Sequence, residues 1–93
     1  MILKVFCLYD LKVGVFNTPF FMAHVGQAVR ACMDLGRDRE TMVGRHPADF
    51  ALLEIGEYDD QNGMLVAINH RNLGSVVSMM GSEQGEFDLK AAQ

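Results

Sequence analysis

The run Ile2-Leu3-Lys4-Val5-Phe6-Cys7-Leu8-Tyr9 decides how this 93-residue chain folds. Side chains of an extended chain alternate between two faces. Ile2, Phe6 and Leu8 therefore share one face and Leu3, Val5, Cys7 and Tyr9 the other, with Lys4 the single interruption. A strand that is apolar on both sides has to be covered on both sides. The remaining elements can be read outward from it.

Asp10-Leu11-Lys12, with Gly14 close by, supplies turn chemistry. Val13, Val15 and Phe16 read as a return strand, which makes residues 2–18 a hairpin. Pro19 is expected to end that strand, and Phe20-Phe21-Met22 to pack beneath the next element. Residues 25–35 carry the helical stripe: Val25, Ala28, Val29, Cys32 and Met33 on one side, Gln27, Arg30 and Asp34 on the other. His24 is a mediocre N-cap and Gly36 a good stop. Residues 37–48 form a long polar connection with one short helical turn around Arg39 to Val43, and long connections are often functional or mobile.

A third strand is expected over 49–57. Ala51, Leu53 and Ile55 lie on one side of it, and Phe50 and Leu52, followed by polar Glu54, on the other. Residues 58–63 end in Asn62-Gly63, a strong hairpin-turn signal. Residues 64–69 give a fourth strand with Met64, Val66 and Ile68 on one face. Asn72-Leu73-Gly74 breaks the pattern, and residues 75–80 fit either a strand or a helical turn. The result is an α+β domain, β-β-α-β-β, over residues 1–80. A four-stranded, mainly antiparallel sheet carries one helix on one face, with a short C-terminal addition and a polar, loosely held tail over 81–93. One helix covers one face of a sheet, so a second copy of the chain is the expected cover for the other.

Composition bounds the function. The apolar fraction of 49% is that of a globular protein, and the net charge of −4 argues against strong non-specific attraction to nucleic acid, which Lys and Arg drive. No apolar run reaches the length of a membrane span, and the N-terminus lacks the pattern of a signal peptide. These features place the protein in a cytoplasm. Cys7 and Cys32, without a Cys-x-x-Cys pair, read as buried free thiols.

The chemistry-bearing residues do not assemble into a catalytic set. His24, His46 and His70 are scattered and have no metal-site spacing. Cys7 sits mid-strand in an apolar run, a poor place for a thiolate. Asp59, Asp60 and Asn62 before Gly63 suggest a calcium loop, but Tyr58 and Asn69 stand where that loop needs carboxylates. No catalytic residue, metal ligand or cofactor is expected. Arg30, Arg37, Arg39 and Arg45, with Lys12, are the candidate nucleic-acid contacts. Asp34, Asp38 and Glu40 are interleaved among the arginines, and ion pairs on a solvated face explain these residues equally simply. Phe20, Phe21, Phe50 and Tyr58 offer base-stacking surfaces wherever they are exposed.

A longer pattern adds to this. The ordered series Tyr9-Asp10-Leu11-Lys12, Pro19-Phe20-Phe21, Ala28-Val29-Arg30, Pro47-Ala48-Asp49-Phe50 and Gly56-Glu57-Tyr58-Asp59 spans about two-thirds of the chain. It resembles the small non-structural protein of gokushoviruses, the tailless single-stranded DNA phages of the Microviridae. The resemblance implies a role in the cytoplasm of an infected bacterium, in single-stranded genome synthesis or its handover to packaging. Two functions follow as expectations. In one, a homodimer or small oligomer binds single-stranded DNA through Lys12 and the four arginines. In the other, the chain is an adaptor for phage or host proteins, using a sheet face or edge strand and touching no nucleic acid.

Overall fold

The computed structural model describes residues 1–81. The elements in chain order are β1 (Ile2–Asp10), β2 (Val15–Phe16), β3 (Phe20–Met22), α1 (Val25–Arg37) and α2 (Met42–Arg45). A 3-10 turn (Pro47–Asp49), β4 (Phe50–Asp59) and β5 (Leu65–Ser75) follow. Residues 76–81 are helical (α3), which settles the segment left open above. The sheet is antiparallel in the order β2-β1-β4-β5, with β3 also paired to β1. This is the expected α+β fold with two additional short helices. From residue 82 on, the expected polar tail lies outside the described residues.

β2 and β3 are two parts of one edge strand. Phe16 stands opposite Tyr9 and Phe20 opposite Phe6, while the Asn17 N–H donates to the Leu8 carbonyl at 2.8 Å. Thr18 and Pro19 therefore share the place opposite Cys7, which is a bulge. Pro19 does not end the strand. It occupies a position where a missing N–H breaks no ladder bond, and pairing resumes at Phe20. The expectation that Phe20–Met22 only packs beneath the helix is corrected accordingly.

On one face, Phe6, Leu8, Phe50 and Leu52 meet Ala28 and Cys32 of α1, Val43 of α2, and Val76 and Met79 of α3. Val25, Val29 and Met33 flank that contact, as the helical stripe requires. α1 runs two residues past its expected end. Gly36 lies buried inside it rather than terminating it, because α3 crosses there. A β-carbon at Gly36 would stand 2.7 Å from Val76 Cγ1 and 2.6 Å from Met80 Sδ. At the other end, the weak cap His24 is supported by Gln27, whose Oε1 accepts the His24 N–H at 3.1 Å.

The connection after α1 is tightly wound. Thr41 Oγ1 caps α2 by accepting the Gly44 N–H at 3.0 Å, and its hydroxyl lies 2.8 Å from the Asp38 carbonyl and 3.2 Å from that of Leu35. Asp38 Oδ1 accepts the Glu40 N–H. Gly44 packs directly on the Asp38 carbonyl, with no room for a side chain.

The second face is closed by the chain itself. Val5, Cys7, Ala51 and Leu53 are all buried. The sheet curls until Phe16, on one edge, touches His70 on β5, at the other, with ring centroids 5.6 Å apart. Tyr9 packs on Phe16 at 4.6 Å, and Phe21 meets Tyr58 at 5.5 Å across β1. Bulges in the β1–β4 and β4–β5 pairings accompany this curl, since bulges sharpen the local twist. The centre of this face is therefore covered within one chain, while its rim rings Phe16 and Phe21 stay about half exposed.

Glu54, read from sequence only as the polar end of a pattern, is 1% exposed. Its Oε2 lies 3.4 Å from Lys4 Nζ on β1, and its Oε1 lies 3.6 Å from Arg71 Nη1 on β5, without a hydrogen bond. The carboxylate thus ties three adjacent strands together, because removing either cation would leave a buried charge under-compensated.

Two expected outcomes test this packing. Gly44→Ala should lose about 2 kcal/mol in denaturant titration, because the new methyl overlaps backbone that cannot move cheaply. Gly26→Ala, in open space at the start of α1, should instead gain about 0.5 kcal/mol. Burial also raises both thiol pKa values, that of Cys32 from 9.0 to about 11. The folded state then holds these protons more tightly than the unfolded chain does. The associated stability is complete below pH 9 and disappears as pH rises through about 11. Thiol-reagent titration at pH 8 should accordingly label neither cysteine until the chain is unfolded.

Candidate nucleic-acid interface

Three arginines gather where α1 hands over to α2. Arg37 closes the last turn of α1, Arg39 follows it, and Arg45 closes the last turn of α2. Each helix C-terminus carries partial negative charge, which places Arg37 and Arg45 favourably. Arg45 Nη1 donates to the Arg39 carbonyl at 3.2 Å, folding that side chain back onto the corner. Arg37 Nη1 lies 3.9 Å from Asp34 Oδ1, an exposed pair of small energetic weight. Sequence spacing suggested this cluster, and the short helix α2 creates it by turning the chain back on itself.

Beside the corner lies an open groove of about 590 Å³. Phe16, Asn17, Thr18 and Phe20 of the bulged edge strand form one wall, and Leu35 of α1 and Val43 of α2 form the other. The helical wall is built from the same two elements that carry Arg37 and Arg45. Phe16 is 50% exposed, while Phe20 is half-buried and stacks on Phe6 at 5.7 Å. The groove exists because the bulge at Thr18-Pro19 interrupts regular pairing, and it offers aromatic surface and two polar side chains, while none of the arginines lines it.

The other proposed contacts are placed differently. Arg30 lies midway along α1 and lines a second groove, of about 510 Å³, with Phe21, Leu3, Met22 and Gln27. Lys12 lines neither groove. Its turn is fixed by its own N–H to Asp10 Oδ1 at 3.0 Å, and by the Leu11 N–H to the Asp49 carbonyl at 2.8 Å. That second bond holds it beside the 3-10 turn that follows α2. Lys4 and Arg71, the remaining cations among the described residues, are engaged with Glu54.

The aromatic assignments change. Phe50 is a core residue and offers no stacking surface. Phe21 is 46% exposed and does. Phe16 was read from sequence as an ordinary strand residue. Its proximity to Pro19 is the signal for an edge position, because proline within a sheet is confined to edges and bulges. In the 58–63 turn, Asp59 Oδ1 accepts the Gln61 N–H, Asn62 Oδ1 accepts the Met64 N–H, and Asp60 Oδ1 takes the N-terminal ammonium at 2.6 Å. These oxygens serve the hairpin. Among the described residues no group of three or more His, Cys, Asp or Glu side chains is arranged to hold a metal, and no helix is long and apolar enough to cross a membrane.

No curated protein and no solved structure matches this chain. A family model described as Phage ORF5 protein matches residues 3–80. With well over half of the sequence inside the match, the chain belongs to the Phage ORF5 protein family.

Proposed function

We propose that this phage protein binds single-stranded DNA in the groove between its bulged edge strand and the α1–α2 corner. It acts by binding rather than by catalysis, in the cytoplasm of an infected bacterium. The carrying observation is the juxtaposition of half-exposed Phe16 with helices whose ends bear Arg37, Arg39 and Arg45. Aromatic rings accept any base by stacking, and arginines take the phosphates. The net charge of −4 is compatible with this, since sequence-independent attraction depends on local cations and the arginines are local. The resemblance to gokushovirus non-structural proteins agrees with a task in genome synthesis or packaging, and membership of a phage family agrees with the setting.

A second reading rests on β5. This strand runs eleven residues along a sheet edge that is unpaired among the described residues, and Leu65 and Val66 are 63% and 53% exposed. Such an edge accepts another strand. It suits self-pairing into a homodimer or small oligomer. It equally suits the adaptor role, with a phage or host protein as partner.

Two measurements decide these points. Fluorescence anisotropy with a labelled oligonucleotide should give an affinity that falls with salt at a log–log slope of about −2 per protomer, for three neutralised phosphates. Substituting Arg37, Arg39 and Arg45 with Gln should remove both the affinity and the slope, and a protein that binds no oligonucleotide at low salt ends the proposal. Light scattering at micromolar concentration should give twice the chain mass, reverting to a monomer when Leu65 and Val66 become Lys. A wild-type monomer under those conditions rules out pairing through β5.

A further inference from the structure

The helix α3, residues 76–81, folds back over α1 and ends beside its last turn. Val76 and Met80 press on Gly36 so closely that a β-carbon there would stand 2.7 Å from Val76 Cγ1 and 2.6 Å from Met80 Sδ. Arg37 is the next residue of α1. The chain therefore leaves the described residues next to the arginine corner.

The segment that follows Gly81 has its own chemistry. Residues 82–93 read Ser-Glu-Gln-Gly-Glu-Phe-Asp-Leu-Lys-Ala-Ala-Gln, three acids against one lysine, so they carry half of the chain's net charge of −4. Glu83 comes three residues after Met80, and Glu86 and Asp88 come six and eight after it. A chain advances at most about 3.5 Å per residue, which puts roughly 10, 20 and 28 Å within reach of these positions. Arg37 adjoins the point of departure. Arg39 and Arg45 stand together beyond it, with the Arg45 guanidinium held on the Arg39 carbonyl at 3.2 Å. Lys4 and Arg71 offer no comparable target, being engaged with buried Glu54. Segment and corner are thus opposite in charge and joined by a short length of chain.

We infer that residues 82–93 dock on the corner of Arg37, Arg39 and Arg45 through Glu83, Glu86 and Asp88, and compete there with the phosphates of single-stranded DNA. The inference rests on the reading of this corner as a DNA contact and adds an occupant supplied by the chain itself. Each exposed ion pair contributes little, and Asp34, Asp38 and Glu40 dilute the charge of the corner. Tethering offsets this weakness, because a group fixed a few residues away acts at an effective concentration on the order of millimolar. An oligonucleotide has to displace the segment, so the corner favours nucleic acid that makes several contacts at once. Both contacts are ionic, and salt screens both.

The test uses the full-length protein and a variant carrying Glu83→Gln, Glu86→Gln and Asp88→Asn together. An unchanged thermal transition verifies that the variant is folded. Backbone amide resonances of the two proteins are compared at low salt without DNA. Those of residues 36–46, far from the substitutions in sequence, should differ, and the differences should fade toward roughly 0.5 M salt as the contact is screened. Anisotropy at low salt should show the variant binding a labelled oligonucleotide more tightly than wild type, on the order of fivefold. Identical corner amides overturn the inference whatever the affinities are, because a long-range effect of charge alters binding without any contact. Shifted amides with equal affinities overturn the competition. Shifted amides in a protein that binds no oligonucleotide at low salt confirm the contact and overturn the DNA reading instead.

Discussion

β1 is paired along both of its edges and buried on both of its faces, and the placement of the other elements follows from that double burial. Its helix-side residues, Phe6 and Leu8, require α1, α2 and α3 above them. Its opposite residues, Val5 and Cys7, require the sheet to curl until aromatic side chains from its margins close over the gap. A flat four-stranded sheet with one short helix would leave the second set in water at a cost of about 1.5–3 kcal/mol for each large apolar side chain. Bulges supply the curvature, and they fall on either side of β1 as well as between β4 and β5.

The same irregularities create the features that read as functional. Regular pairing along β2 and β3 would leave no break at Thr18-Pro19 and no groove behind it. The bulge pulls the edge strand apart locally, leaves Asn17 and Thr18 exposed, and sets Phe16 and Phe21 as separate stacking surfaces rather than members of one packed row. Opposite them, the rigid turn built on Thr41 and Gly44 brings Arg39 and Arg45 back beside Arg37. A mobile loop of the same composition would hold the same charges but no fixed array. Preorganisation of this kind matters for a weakly basic site, since the ordering entropy of long side chains otherwise cancels much of the electrostatic gain.

Charge is partitioned across the molecule in a way that net charge conceals. Glu54 is buried and engages Lys4 and the largely exposed Arg71 from neighbouring strands. Asp59, Asp60 and Asn62 are occupied in building the β4–β5 turn. What remains around the helices is a set of arginines interrupted by Asp34, Asp38 and Glu40, of which Asp38 is already bound to a backbone N–H. The overall balance of −4 thus coexists with a local basic corner.

The alternation in Ile2 to Tyr9, the 3.6-residue stripe of α1 and the Asn62-Gly63 turn were enough by themselves to determine an α+β antiparallel domain with a doubly covered strand, because each is a local periodicity that one geometry satisfies. The clustering of arginines near the end of α1 was equally legible, whereas Pro19, read as a strand stop, marks an edge bulge only once pairing is seen to resume at Phe20. Other features depended on contacts between residues far apart in the chain, and only the tertiary structure decided them. Gly36 looks like a helix stop until α3 is seen to cross it, and Glu54 looks solvated until Lys4 and Arg71 arrive from neighbouring strands. Phe50 looks like a stacking surface until the core closes over it. The covering of the second face was also beyond sequence, because curl is the sum of several bulges, and a bulge is a mismatch between two strands that neither strand encodes alone.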